Sequence, residues 1–561
     1  MSPHPGLAFK PATVAEAWLG LLAAHRIDYL FVNSGTDFAP LAEAYAKGQS
    51  LGWKMPRPIA VPHENVGVAM AHGYTMVSGR AQAMMVHVGM GTANAVNGLY
   101  NAYRQRIPML FTAGRTPILE AGAVRGARNN FINWAQEMYD QAGMVREVVK
   151  WDYELRHPLQ VASVLERALA IANSAPQGPV YLTLPREVLA ADLDGAGVSL
   201  GAVAPPAPRA PAADAAAQAG AWLGEARHPL IITSNCGRTP GEARALRQLA
   251  ERLAIPVVQY RPRHLALASS HPLAAGWDPH TLLKNADCVL VVDCDVPWIP
   301  AQGAPLPGAH VVQLGVDPLW PDYPMRGFRS DLTLDCDTQL GLEALVGAVV
   351  AGPRNLPGAS PARPAPQSSG TTISSRYVSA CLSALLDADT LVVNEYPLTL
   401  EDMTLEAGQY FSHPPSGGLG WGLGAALGAK LAAPEKTVIC AVGDGAYMFG
   451  HPTPAHWIAQ AQRLPVLFVV FNNARWGAVH RATLSIYPDG FAAKAPVPPF
   501  TQLDPAPQFE KICEASGGWG EHVTAPAAVM PALKRALEVV RKEKRQALLN
   551  IEVEAGTART S

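Results

Sequence analysis

The chain has 561 residues, too many for one hydrophobic core, and domain-size statistics favour about three domains. It is 49% hydrophobic and 16% charged, with a formal charge of −2 and a pI near 6.8. No global field therefore draws it to nucleic acid or to an anionic membrane. No apolar run is long enough to span a bilayer, and the first ten residues lack a basic segment followed by an apolar core. Seven scattered cysteines, none in a CxxC or other metal-spaced pair, read as reduced, buried thiols. The expectation is a cytoplasmic globular enzyme with neither nucleic acid nor membrane as a partner.

Two stretches rich in Pro, Ala, Gly and Ser, residues 195–215 and 351–370, read as linkers. They divide the chain into domains at 1–190, 200–350 and 372–561. Each part alternates short β-branched runs with longer helical patterns, which predicts an α/β fold of three doubly wound parallel-sheet domains. In the first part Tyr29–Val32, Ala83–Val86, Met109–Thr112 and Val180–Leu184 are expected strands, with helices at Glu64–Ser78 and Asn94–Arg104. The middle part offers Leu230–Thr233, Pro256–Gln259, Val289–Asp293 and Val311–Leu314. The last part offers Thr390–Asn394, Thr437–Val442, Val466–Phe471 and Ala547–Val553.

The most informative segment is Thr437–Val479. Its first strand runs into Gly443-Asp444-Gly445, a helical stretch follows at Ala455–Gln462, and the second strand ends in Asn472-Asn473. A βαβ crossover places both strand ends on one edge of the sheet, where ligands of open parallel sheets bind. Asp444 and Asn473 are thus expected to meet although 29 positions separate them. One carboxylate and one amide oxygen, with room for a backbone carbonyl and phosphate oxygens, suit a hard cation. Gly443 and Gly445 permit a tight turn, and the following helix start offers N–H groups to a diphosphate. Either motif alone is an ordinary loop; their pairing within one βαβ unit points to function.

This segment resembles the thiamine-diphosphate enzyme family that includes acetolactate synthase, benzoylformate decarboxylase and pyruvate decarboxylase. That family's cofactor motif is GDG, then a helix and a strand, then NN. The resemblance implies Mg²⁺ held by Asp444, by the side chain of Asn473 and by the carbonyl of Arg475. It also implies cofactor contacts at Gly443, Gly445, Ala446, Trp476 and Gly477. The interval between the motifs is slightly longer than the family pattern, and Gly450–Pro454, read as a loop, takes up the excess. Asn473 is favoured over Asn472 as the ligand.

Further motifs extend the likeness. Thiamine chemistry needs a carboxyl on the far pyrimidine nitrogen, best placed in an apolar site where burial raises its pKa. Glu64, which opens an apolar helix, resembles the family's activating glutamate, and its alternative is a first-turn acid complementing the helix dipole. Leu419, inside Ser416-Gly-Gly-Leu-Gly420, falls where the family wedges an aliphatic side chain between the cofactor rings; otherwise it starts a core helix. His87, at the end of a buried strand, looks most like the proton-transferring histidine of benzoylformate decarboxylase, although lone strand-end histidines are commonly structural. Thr36 and His480 are weaker candidates.

Several departures narrow the choice. There is no His-His sequence pair, Met90 and Gly424 replace family prolines, and Val291–Trp298 lacks the acetolactate synthase flavin signature, which disfavours FAD. The resemblance implies a pyrimidine-binding, a middle and a diphosphate-binding domain. It also implies a homodimer or homotetramer in which Glu64 completes a partner's site. The expected activity on 2-oxo acids is decarboxylation followed by carboligation to an aldehyde or second 2-oxo acid, as in acetolactate synthase. Simple decarboxylation of the benzoylformate decarboxylase type comes second. A 2-hydroxyacyl-CoA lyase and a non-catalytic cofactor-binding paralogue rank below.

Overall fold

The computed structural model describes residues 7–554, apart from 123, 196, 197, 199, 200, 202, 351–365, 368 and 369. Both chain ends and most of the 351–370 linker thus lie outside the described residues, and so do several positions of the 195–215 linker. The chain forms three sheets, each with parallel pairings only.

The first sheet contains β1 (Tyr29–Val32), β2 (Arg57–Ala60), β3 (Gln82–Val86), β4 (Met109–Arg115), β5 (Asp152–Glu154) and β6 (Pro179–Pro185), in the order β2-β1-β3-β4-β6-β5. The middle sheet contains β7 (Pro229–Thr233), β8 (Val257–Gln259), β9 (Cys288–Val292), β10 (His310–Gly315) and β11 (Leu332–Asp335), in the order β11-β10-β9-β7-β8. The last contains β12 (Thr390–Glu395), β13 (Tyr410–Ser412), β14 (Thr437–Gly443), β15 (Val466–Asn472), β16 (Trp519–Val523) and β17 (Ala547–Glu552), in the order β13-β12-β14-β15-β17-β16. The outer two sheets thus repeat one topology.

Every strand expected from the sequence is present, and the Glu64–Ser78 helix has the expected bounds. Two expectations need correction. The helix expected from Asn94 begins at Val88, with Gly89 and Gly91 buried in its first turn. Gly450–Pro454 is not a loop: Gly450 closes one short helix, His451 at φ +49 caps the next, and Pro452 occupies that helix's first turn.

What joins the outer domains is a helix crossing. The Glu64–Ser78 and Trp421–Ala432 helices are buried along nearly their whole length, and one apolar cluster runs through both from the first sheet to the last. Their backbones touch. A Cβ at Gly73 would overlap Ala425, one at Gly428 would overlap the carbonyl of Met70, and one at Gly424 would stand 2.6 Å from both Ala69 and the carbonyl of Val66. Contacts pair residues 424 with 66–70 and 428 with 70–74, so the helices start at the same end. The middle domain packs its own cores on either face of its sheet. We expect Gly428→Ala to lower stability by about 1–3 kcal/mol through overpacking, although alanine is the better helix former. Urea unfolding measures this, and an unchanged or raised midpoint would contradict the close-approach account.

Candidate active site

β14 and β15 are neighbours in register, with Gly443 opposite Phe471, so their ends deliver Asp444 and the Asn472-Asn473 pair to one place. Asp444 opens the helix Asp444–Phe449 and is 4% exposed. Its Oδ1 accepts the N–H of Gly445 at 2.8 Å, while Oδ2 is buried with no hydrogen-bond partner. Burial pushes this carboxyl above the usual range, while the N–H groups of Gly445 and residues 473–475 pull the other way. A buried, orphaned carboxylate oxygen is costly unless something positive meets it. The carboxylate of Asp444, the side-chain amide of Asn473 and the backbone carbonyl of Arg475 all offer oxygen, the ligand atom Mg²⁺ prefers. Among the described residues no three His, Cys, Asp or Glu side chains cluster as metal ligands.

The two asparagines differ. Asn472 is 6% exposed and its amide donates to Asn550 at 3.1 Å, which ties it to the core. Asn473 is half-buried, and its Oδ1 accepts the N–H of Arg475 at 3.0 Å across a turn in which Ala474 takes φ +50. The carbonyl of Arg475 accepts from Gly477 at 2.9 Å. A Cβ at Gly445 would overlap the Trp476 ring, whereas around Gly443 there is open space. Ala446 is buried beside them, and Gly477 opens the Gly477–Ile486 helix.

The turn bearing Leu419 is bound from two sides. Gly420, at φ +90, caps the Trp421–Ala432 helix, and the N–H groups of Gly420 and Gly422 donate to the two oxygens of Glu395 at 2.7 and 2.6 Å. Glu395 ends β12, is fully buried, and is pushed up to about 7, chiefly by burial. From the first domain, Asn101 donates to the carbonyl of Gly418 at 2.8 Å and Asn97 to that of Leu419 at 3.1 Å.

Glu64 is 6% exposed at the start of its helix and accepts from Asn94 at 3.1 Å. Asn94, Asn97 and Asn101 share one face of the Val88–Arg104 helix, so a single stripe of amides grips both Glu64 and the Leu419 turn. Beside Glu64, His63 stacks on His451 of the last domain, with ring centroids 3.3 Å apart, and burial pushes both imidazoles down.

His87 follows β3 and caps the Val88–Arg104 helix. Its Nδ1 lies 2.6 Å from Asp37 Oδ1, and its Nε2 lies 3.1 Å from the side-chain amide of Gln136. Thr36 precedes this aspartate, lines the same small cavity and offers its carbonyl to Arg186 at 3.3 Å. Sequence reasoning does not find Asp37, Gln136, Glu395 or the asparagine stripe; an i, i+3, i+7 pattern of amides is the one available signal. His480 sits on the Gly477–Ile486 helix, none of whose residues is buried, and Met90 is exposed. In the middle domain the Gly237 and Arg238 N–H groups both donate to Glu242 at 3.0 Å, so that turn is filled by the chain's own carboxylate.

Because Glu395 is raised from 4.5 to about 7 in the fold, its stabilising effect is complete below pH 4.5 and is lost as pH rises through about 7. Glu395→Gln removes the titrating carboxyl while keeping one of its two acceptor oxygens, so it should flatten the fall in Tm across that window even where it lowers Tm at every pH; an unchanged pH slope would contradict the assignment.

Three family descriptions match the chain in succession: the thiamine pyrophosphate enzyme N-terminal TPP binding domain at residues 12–144, the central domain at 216–320 and the C-terminal TPP binding domain at 401–551. A benzoylformate decarboxylase of Pseudomonas aeruginosa is 28% identical over 94% of this chain and 97% of its own length. An acetolactate synthase large subunit of Parasynechococcus marenigrum is 24% identical over 95% of this chain and 87% of its own. The solved structure of a thiamine diphosphate-dependent 4-hydroxybenzoylformate decarboxylase from Rhodococcus jostii RHA1 shares the fold with a TM-score of 0.81 at 24% identity, covering 98% of this chain and all of that one. With its N-terminal, central and C-terminal domains matched in order, this chain belongs to the thiamine pyrophosphate enzyme family and is a thiamine diphosphate-dependent enzyme of its decarboxylase and acetolactate synthase branch.

Proposed function

We propose that this enzyme decarboxylates a 2-oxo acid and releases the aldehyde, with Mg²⁺ anchoring the cofactor diphosphate. The observation that carries the reading is the partnerless, buried Asp444 Oδ2 at the joint ends of β14 and β15. Asp444, Asn473 and the carbonyl of Arg475 would hold the cation, since Asn472 is 6% exposed and its side chain is tied into the core through its amide nitrogen to Asn550. Gly443, Gly445, Ala446, Trp476 and Gly477 would surround the diphosphate. Bound thiamine diphosphate supplies the carbon nucleophile and the electron sink for loss of CO₂. Glu64, held by Asn94, would carry the pyrimidine-facing carboxyl, and Leu419 would fix the cofactor's bend.

His87 would move the proton that ends the reaction. Its pairing with Asp37 equips it for protonation, which shifts the weight from carboligation, the sequence-based first choice, to simple decarboxylation. Ligation to an added aldehyde remains the second reading, supported by the likeness to acetolactate synthase.

We further infer domains bounded at 1–190, 200–350 and 372–561, each enclosing one family match. The protein would act as a homodimer or homotetramer. The uncovered Gly477–Ile486 helix, with Phe491 and Phe500 over 90% exposed, is the surface a second copy would bury. The seven cysteines, all free and buried, suit a reducing cytoplasm, and no helix of the described residues is long and apolar enough to cross a membrane.

Asp444→Ala should weaken Mg²⁺-dependent thiamine diphosphate binding by at least about 100-fold while leaving the far-UV spectrum unchanged. Calorimetric titration measures it, and wild-type affinity would contradict the proposal. Glu64→Gln should lower kcat by about 100-fold or more, a loss of proton-transfer size, with cofactor affinity within tenfold. CO₂ release from a panel of 2-oxo acids, with and without added aldehyde, separates decarboxylation from ligation; ligated product with the aldehyde and none without it would favour the second reading.

A further inference from the structure

The Asp37–His87 pair is built into the fold at a conformational cost. Asp37 has a side chain only 4% exposed, and that of His87 is 21% exposed. The carboxylate is used on both oxygens: Oδ1 meets the His87 ring and Oδ2 accepts the N–H of Val88 at 3.3 Å. Val88, a β-branched residue, is held at φ +32, a conformation such residues rarely adopt. Two glycines clear the space. A Cβ at Gly35 would overlap the His87 ring, and a Cβ at Gly114 would overlap the Asp37 carboxylate. Glycines on two separate segments, a strained valine and a buried acid thus all serve one imidazole. A lone structural histidine requires none of this.

We propose that Asp37 is a positioning residue that pins His87 with Nδ1–H toward its carboxylate, leaving Nε2 as the nitrogen that gains and loses the proton. In the neutral ring the Gln136 amide donates to the Nε2 lone pair at 3.1 Å. A proton reaches or leaves Nε2 only when that amide swings aside; once Nε2 is protonated, a half-turn of the amide presents its oxygen to the new N–H. The carboxylate stabilises the imidazolium, and the ring never needs to rotate between giving and taking.

The charges around the ring agree. The hydrogen bond to Asp37 is the largest influence on His87 and raises it, burial opposes this, and the Asp37 and Glu64 charges add to the rise. Arg115 and Arg186 line the same cavity but are occupied, Arg115 by Glu137 and Glu154 and Arg186 by the carbonyls of Thr36, Gly126 and Ala127. His87 therefore stays protonated to higher pH than a free histidine. The pair's contribution to stability is complete below the ordinary 6.5 and is lost as pH rises through the raised folded value.

The catalytic consequence rests on the proton-transfer reading of His87; the positioning itself does not. The test is heteronuclear NMR of labelled histidine rings in the holoenzyme, with the His87 signal assigned by its absence in His87→Gln. Wild type should show the Nδ1–H tautomer once neutral. Asp37→Asn should lower the His87 midpoint by about 1 pH unit or more, carry the basic limb of the kcat profile down with it, and change KM far less than kcat. Asp37→Glu should restore part of the shift. An unchanged midpoint in Asp37→Asn, or an Nε2–H tautomer in wild type, overturns the proposal, and the wild-type tautomer can be read whether or not the variant folds. Full turnover in His87→Gln would sink the catalytic role of His87 while leaving the tautomer and midpoint test of Asp37 intact.

Discussion

Everything at the site depends on how closely two helix backbones approach. Gly73, Gly424, Gly428 and their alanine neighbours let the Glu64–Ser78 and Trp421–Ala432 helices cross without side chains between them. Because both start at the same end, the glutamate that opens one and the Leu419 turn that precedes the other come within reach of a single row of asparagines. Any bulk at the crossing would lever these two N-terminal ends apart. The fold accepts glycine's conformational cost in mid-helix for that proximity, and one apolar cluster spanning both domains holds it in place.

A second theme is the use of buried acids at strand ends. Glu395 closes β12 and binds the N–H groups of the Leu419 turn; Asp444 directly follows β14 and keeps one oxygen unpartnered; Asp37 lies beyond β1 and binds His87. Each stands near or at the carboxyl edge of a parallel sheet, where such sheets place their ligands. Their partners sort them. An acid satisfied by backbone N–H groups shapes the turn, one bound to an imidazole would tune a proton carrier, and one left half-satisfied would take the proposed cation. Burial makes all of these interactions stronger than they would be in water.

Much of the fold is legible in the sequence because interior strands of a parallel sheet are apolar on both faces. β14 and β15 read as continuous hydrophobic runs, and their expected bounds agree with the structure to within a residue. The unread strands β2, β5, β11, β13 and β16 are all sheet edges, short or carrying charges such as Arg57, Asp152 and Asp335, and so lack that signal. At the candidate site, the motif pair and Glu64 stand out in the sequence because each falls in a short, distinctive stretch. Asp37 stands 50 positions from His87 and Asn101 stands 317 from Gly418, and no local pattern connects such pairs. The excess length around His451 shows in the sequence but reads as a loop, since two glycine- and proline-bounded helix ends resemble one until the stacked His63 ring shows where they lead.

A structure of the enzyme with thiamine diphosphate and Mg²⁺ bound tests the central claim most directly. The account predicts Asp444 Oδ2 on the metal at about 2.1 Å, the Asn473 amide oxygen beside it, and the Glu64 carboxyl against the pyrimidine nitrogen. A cofactor seated with Asp444 Oδ2 still unpartnered, or with Glu64 facing away from the pyrimidine, would contradict it.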